Sequence, residues 1–490
     1  MPTHTVIIIG SGFGGQCASL RLKENGIDDF ILLERRDFMG GTWCQNSYPG
    51  AAVDVQSPLY SIESEPYDWS QMFAEQSELE QYTHHVIDKH KLRERTRTNS
   101  NVERIQWLED QSLWQIDVRN VKTGAETTYK ARFVINASGP LSTPVIPDFK
   151  GKDSFQGEAF HTNNWNHAYD LTGKKVAIIG SGASAAQIIP TIAKEVGQLH
   201  IFQRSPHWVM PRHDYKFKSW QRKLLRNKTV YRGLREAIYW GLETRVVGFK
   251  YSRFMLELMA ARVAKNHIKN QIKDPGLRKQ VTPDWTIGCK RIILSNTLYP
   301  AYCRDNVTLH DKDQGISEIT ETGINTTDGK ALELDLIVYS TGYDATDGVI
   351  SYPVVGKGGR KLADIWEDFP RAYLGTSAPG FPNLFIVTGP NTGIGHTSAI
   401  FVIEAQMNYI LSAIKAAKSH AKQTIEVRAD AEERYTNHIH EEMAQTVWQG
   451  GGCNSWYKSK SGKVIAMFPG FSFTYRRWTK NFRAKDHVFH

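Results

Sequence analysis

The stretch Val6-Ile7-Ile8-Ile9-Gly10-Ser11-Gly12-Phe13-Gly14-Gly15 and its second version, Val176-Ala177-Ile178-Ile179-Gly180-Ser181-Gly182-Ala183-Ser184-Ala185, decide the fold. In each, four apolar residues suited to a buried parallel strand run into a glycine-rich turn, and a helix-like segment follows (Gln16 to Lys23, Ala186 to Ala193). Such a turn lets backbone N–H groups at a helix start approach a pyrophosphate, where the helix dipole favours negative charge. The residue that ends the next strand meets the adenosine ribose. It lies 24 positions after the first glycine in both copies, and its charge differs: Glu34 in the first, Arg204 in the second. A carboxylate accepts hydrogen bonds from free 2′- and 3′-hydroxyls, whereas a guanidinium pairs with a 2′-phosphate. One GxGxxG alone is weak, because glycines serve ordinary tight turns. Two of them, each in a strand–turn–helix context and with opposite terminal charges, predict an α/β chain with two Rossmann-like dinucleotide-binding domains. FAD in the first and NADPH in the second is the natural pairing.

The length of 490 residues exceeds one ordinary core and predicts two or three domains. With 40% hydrophobic and 23% charged residues, the composition is that of a soluble globular protein. No run of eighteen apolar residues exists, so no spanning helix is predicted. The first strand starts too close to Met1 for a signal peptide to precede it. The five cysteines (Cys17, Cys44, Cys289, Cys303, Cys453) form no CxxC pair. That scatter predicts a reducing, cytoplasmic setting without a disulfide frame, and it speaks against a disulfide-reductase flavoenzyme, which needs a closely spaced redox pair. No metal site is expected.

The net charge of +9 is uneven: residues 211–280 hold 18 Lys or Arg against 5 Asp or Glu, so the rest of the chain carries about −4. The basic stretch also contains Trp220, Tyr231, Tyr239, Trp240, Phe249, Tyr251 and Phe254. A nucleic-acid or membrane surface is the sharper reading of that mixture. A solvated helical insert with an inner apolar stripe and an outer basic face is the favoured one. No nucleic-acid partner is expected.

Along the chain, the first unit closes on Phe133 to Ala137 and a Gly139-Pro140 break, after which Pro144 and Pro147 mark a connector. The second unit is interrupted after Pro206 and Pro211. The chain returns to the first unit near the apolar run Leu384-Phe385-Ile386-Val387, and a periodic helix is predicted from Thr397 to Lys415. The expected domains are 1–145 plus 345–490 (FAD), 146–212 plus 286–344 (NADPH) and the helical insert 213–285. Such a crossing chain places a cleft between the two dinucleotides.

Phe155, Gly157, His161 and Trp165 follow the pattern FxGxxxHxxxW. It resembles the fingerprint of type I Baeyer–Villiger monooxygenases, although Asn166 stands where that family has Pro or Asp. Gly40-Gly41-Thr42-Trp43, Tyr48-Pro49-Gly50 and Asp54 match a second pattern of the same family at every specified position. Gly288-Cys289-Lys290-Arg291 resembles the segment that carries its active-site arginine, and Ser455-Trp456-Tyr457 a late motif whose tryptophan lies near the nicotinamide. The resemblance runs from about residue 4 to 475. It implies that NADPH reduces FAD, that O2 forms a C4a-peroxyflavin, and that this attacks a small ketone to give an ester or lactone. Arg291 is then the catalytic cation and Asp54 the carboxylate that holds it. The expected cofactor-binding residues are Gly10, Gly12, Phe13, Gly14, Gly15, Glu34, Thr42, Trp43, Asp54, Tyr60, Val102, Gly180, Gly182, Ala183, Ser184, Gln187, Arg204, Ser205, Lys290 and Trp456.

Each of these residues has an ordinary reading alone. His161 is a satisfied loop or core histidine, Trp43 and Trp165 are core aromatics, Asp54 caps a turn and Arg291 is half of a structural ion pair. Their joint spacing around two cofactor turns favours the functional reading. The nearest rival is a flavin-containing monooxygenase that oxidises sulfur or nitrogen; Asn166 keeps it open, and Asp54 and Arg291 oppose it.

Overall fold

Strand Thr3–Ile9 pairs in parallel with Phe30–Leu33 on one side and with Glu126–Asn136 on the other. Its residues Val6 to Ile9 are buried, as a strand covered on both faces must be. The computed structural model describes residues 1–345, 349–419 and 424–490. The first sheet has the order Val354–Val355, Ser100–Leu108, Leu113–Asn120, Glu126–Asn136, Thr3–Ile9, Phe30–Leu33, Thr96–Arg97. An antiparallel meander builds one half of it, and Leu384–Ile386 adds in parallel to the far end of Glu126–Asn136. Helix Ala399–Ser419 follows and packs on helix Phe13–Glu24.

The second sheet is wholly parallel, in the order Val307–His310, Gln198–Phe202, Lys175–Ile179, Leu336–Tyr339, Glu158–His161. Both glycine turns therefore leave the carboxyl ends of central parallel strands, where open α/β sheets bind ligands. A parallel pairing of Val209–Met210 with Ile293–Leu294 closes the base of the segment between them. That segment is helical, with long members at Lys228–Glu243 and Arg262–Gln271. Tyr231, Tyr239 and Phe249 point inward, whereas Trp220, Trp240, Tyr251 and Phe254 are exposed. The buried Arg235 reaches the first unit, its NH1 donating to the carbonyls of Pro58, Leu59 and Ser61 at 3.0, 3.1 and 2.8 Å. No helix among the described residues is long and apolar enough to cross a membrane.

The expectation that the cysteines form no disulfide is corrected: Cys289 and Cys453 are bonded, with Cα atoms 6.1 Å apart. They lie 164 residues apart and meet only because the C-terminal segment folds back against the 285–291 loop, which no local spacing reveals. Cys17, Cys44 and Cys303 are free.

Candidate active site

Gly10 has φ +102°, and a Cβ there would lie 2.5 Å from the Ala137 carbonyl oxygen; at Gly15 it would lie 2.1 Å from the carbonyl of Gly10. Side chains are thus excluded where backbone crosses backbone. Helix Phe13–Glu24 starts at Gly12 without a side-chain cap, which leaves its first N–H groups for a ligand. Glu34 is buried. Its Oε2 accepts from the N–H and hydroxyl of Ser11 at 3.0 and 2.7 Å, and its Oε1 from the N–H of Arg36 at 3.0 Å. Oε1 therefore keeps a lone pair for a further donor. The glycine pair that leads into the short helix Thr42–Gln45 crosses this turn, with Gly40 N–H donating to Ser11 Oγ at 3.3 Å and Gly41 so close that a Cβ would sit 2.7 Å from Gly12 Cα. Trp43 Nε1 donates to the Tyr60 hydroxyl at 3.1 Å, and the Tyr60 ring meets Phe13 edge-on at 5.9 Å. Val102 is buried among Ile7, Ile9 and Ile31 beneath the strand ends.

At the second turn Gly180 has φ +114°, with Ser340 O 2.3 Å from a notional Cβ, while nothing lies within 4 Å of one at Gly182. Helix Ala183–Ile192 again starts without a side-chain cap. Gln187 docks this helix on the other unit: its Nε2 donates to Ala52 O at 2.8 Å, and its Oε1 accepts from the Tyr48 hydroxyl at 3.1 Å. Gly50 presses against the same helix turn, where a Cβ would lie 2.5 Å from Gln187 O. Arg204 is exposed beside Ser205, whose Oγ accepts from Lys290 Nζ at 2.8 Å. Burial, and then the charge of Arg204, push the Lys290 pKa below that of a free lysine. Two cations that raise one another's energy mark a place for an anion.

Arg291 and Asp54, 237 residues apart, face each other in a bidentate pair, Nε to Oδ2 at 2.6 Å and NH2 to Oδ1 at 2.5 Å. Asp54 raises the Arg291 pKa still further. Arg291 keeps 48% of its side-chain surface accessible, and the phenols of Tyr457 and Tyr60 lie in its surroundings. Burial raises both phenols, Tyr457 to about 12, so they stay protonated. Trp456, 45% exposed, meets Tyr457 edge-on at 4.6 Å.

The sequence profile of the family described as pyridine nucleotide-disulphide oxidoreductase matches residues 7–237. A protein of Pseudomonas aeruginosa called Baeyer-Villiger monooxygenase is 41% identical over 483 residues, 98% of this chain and 90% of its own length. The chain belongs to the Baeyer–Villiger monooxygenase family. Among solved structures, cyclohexanone monooxygenase from Rhodococcus sp. Phi1 bound to NADP+ aligns with TM-score 0.90 and 28% identity, over 100% of this chain and 99% of the other. OTEMO in complex with FAD and NADP aligns with TM-score 0.89 and 27% identity, over the whole of both chains.

In this Baeyer–Villiger monooxygenase the 155–166 motif packs in the second unit, and Asn163 O accepts from Gln45 Nε2 of the first at 2.9 Å. His161 is buried at the end of strand Glu158–His161. Its Nε2 donates to Gly342 O at 3.1 Å, and its Nδ1 lies 3.2 Å from the Asn163 N and 3.0 Å from Asn163 Oδ1. Burial lowers its pKa, consistent with a neutral ring. Phe155 and Trp165 pack on the apolar clusters of the second unit, and Gly157 leaves room for the Phe155 ring and Asp335 O. Asn166 Oδ1 accepts from Ala168 N–H at 3.1 Å, a turn bond that an aspartate could also make.

Sequence reasoning missed Trp285, whose ring lies 5.3 Å from Lys290 Nζ, and Tyr48 as the partner of Gln187. Tyr48 stood in a quoted motif, so a signal existed for it; Trp285 had none. A sulfur, a carboxylate oxygen and a ring nitrogen of Cys44, Glu80 and His84 also lie within 4.8 Å of one another. Arg93 donates to His84 Nδ1 at 3.2 Å, so the proton of a neutral ring sits on the Nε2 that faces Cys44.

Proposed function

We propose that this Baeyer–Villiger monooxygenase is an FAD-containing, NADPH- and O2-dependent enzyme that converts a small ketone to an ester or lactone. The carrying observation is the bidentate Asp54–Arg291 pair, with Arg291 open on one side, in a chain whose two nucleotide turns end in Glu34 and Arg204. The residues present fit both cofactors. Uncapped helix starts and glycine crossings suit two pyrophosphates, Glu34 Oε1 has a lone pair for a ribose hydroxyl, and Arg204, Ser205 and Lys290 suit a 2′-phosphate. The related OTEMO is solved with FAD and NADP, and the related cyclohexanone enzyme with NADP+.

Reduced flavin supplies the activation of O2. The protein's part is position and charge. A guanidinium cannot lose its proton here, and its side-on pairing uses Nε and NH2, which leaves NH1 for negative charge developing on a reacting oxygen. Asp54 fixes the plane of that group, so little reorganisation is needed as charge appears. Tyr60 and Tyr457 add neutral phenols and no competing anion. Trp43 and Phe13 hold Tyr60 in place.

Aerobic turnover with NADPH over a panel of ketones and sulfides tests this reading. NADPH consumed in step with ester or lactone is expected. Sulfoxide as the sole product across the panel contradicts it.

A further inference from the structure

We propose that the Cys289–Cys453 disulfide is a positioning tie that holds the Trp456–Tyr457 loop against the Arg291 loop, and so sets NADPH affinity and the coupling of NADPH oxidation to product. The proposal rests on the function above. Cys289 lies two residues before Arg291, and Cys453 three before Trp456. Residues 451–456 contain neither helix nor strand. Apart from the covalent bond, their hydrogen bonds to the second unit are Thr286 N–H to Gly451 O at 3.1 Å and Cys453 N–H to Cys289 Sγ at 3.3 Å. All three ties end on the loop that carries Arg291.

The surroundings are shaped for the bond. A Cβ on Gly451 would lie 2.7 Å from Cys289 Cβ and 2.8 Å from its sulfur, so only glycine lets these two loops come together. Gly288 has φ +89°, and a Cβ there would strike the Phe249 ring at 2.7 Å. Both sulfurs are buried among Trp208, Phe249, Trp285 and Trp448. With Gly450, Gly451 and Gly452 in succession, the unbonded loop has much conformational freedom to regain.

The bond is reversible by ordinary chemistry. A dithiol attacks one sulfur and closes into its own disulfide, leaving Cys289 and Cys453 as two thiols. Hydrogen peroxide takes two electrons and two protons from those thiols, restoring the S–S bond and yielding two waters. In the open form the loop is docked for only a fraction of the time, and the apparent affinity for NADPH falls by that fraction.

The test uses the full-length holoenzyme. Denatured without reductant it should show three reactive thiols, and five after reduction. If the loop docks about one-tenth of the time once released, Cys453→Ser raises the KM for NADPH about tenfold. It also diverts NADPH oxidation from ester towards hydrogen peroxide, while FAD content and the flavin reduction rate at saturating NADPH hold within about twofold. Where the variant folds poorly, the parent enzyme reduced by dithiothreitol until all five thiols titrate should show the same shift in KM, and reoxidation by hydrogen peroxide should return it. Five thiols before reduction, or a KM unmoved by loss of the bond, overturns the tie. The KM is read from NADPH oxidation without ketone. A moved KM with no ester from parent or variant therefore upholds the tie and overturns only the ketone reading.

Discussion

Arg204→Ala isolates the 2′-phosphate cradle. The lost interaction is charge-assisted, a class worth about 1.5–3 kcal/mol. Arg204 is exposed, and Lys290, 2.8 Å from Ser205 Oγ, remains to hold part of the phosphate, so the lower part of that range applies. About 1.5–2 kcal/mol converts to a tenfold to thirtyfold rise in KM for NADPH, at about 1.4 kcal/mol per factor of ten. NADH has no phosphate at that position and should shift by less than about twofold. The variant also removes a positive neighbour of Lys290, whose pKa should rise towards that of a free lysine. Steady-state NAD(P)H oxidation at several salt concentrations measures both coenzymes, and the NADPH penalty should shrink as salt screens the parent's advantage. Equal penalties on NADPH and NADH would falsify the phosphate role. Arg204→Glu, which copies Glu34, should turn the preference towards NADH.

Arg291→Ala should keep its FAD absorbance and still oxidise NADPH, yet lose ester formation by about two to three orders of magnitude; full ketone conversion ends the assignment. Asp54→Asn retains the shape but removes the paired charge, so ester yield should fall and hydrogen peroxide rise in product analysis. Gln187→Ala removes the bonds to Ala52 O and the Tyr48 hydroxyl and should cost about 1–3 kcal/mol, read by chemical denaturation. His207 is held at about 4, chiefly by burial and secondly by the charge of Lys290. Its folded pKa lies below the unfolded 6.5, so its contribution is complete above pH 6.5 and is lost as pH falls towards 4. At pH 5 the loss is about 2 kcal/mol relative to pH 7.5, and His207→Gln should flatten the curve by that amount.

The nucleotide turns were legible because one βαβ unit fixes every spacing within it. Gly10 to Glu34 and Gly180 to Arg204 each lie inside such a unit, and the parallel pairings Thr3–Ile9 with Phe30–Leu33 and Lys175–Ile179 with Gln198–Phe202 follow. Asp54 and Arg291 are another matter. From the residues alone they read as a turn cap and a structural ion pair, and only the family resemblance suggested that they belong together. The disulfide was hidden by a separation of 164 residues, because local spacing carries no information about a C-terminal loop folding back. Charge counting found the basic insert but not its inward side: Tyr231 and Trp240 look alike in sequence, yet one donates to buried partners and the other faces solvent. His161 stood in a functional motif, and its observed bonds stay within the second unit.

The most direct test of the central claim is turnover of a ketone with NADPH under oxygen-18 gas, with the product identified by mass spectrometry. One labelled oxygen inserted into the ester or lactone, lost together with Arg291→Ala, is the predicted result. An unlabelled ester, or label found only in hydrogen peroxide and sulfoxide, would contradict it.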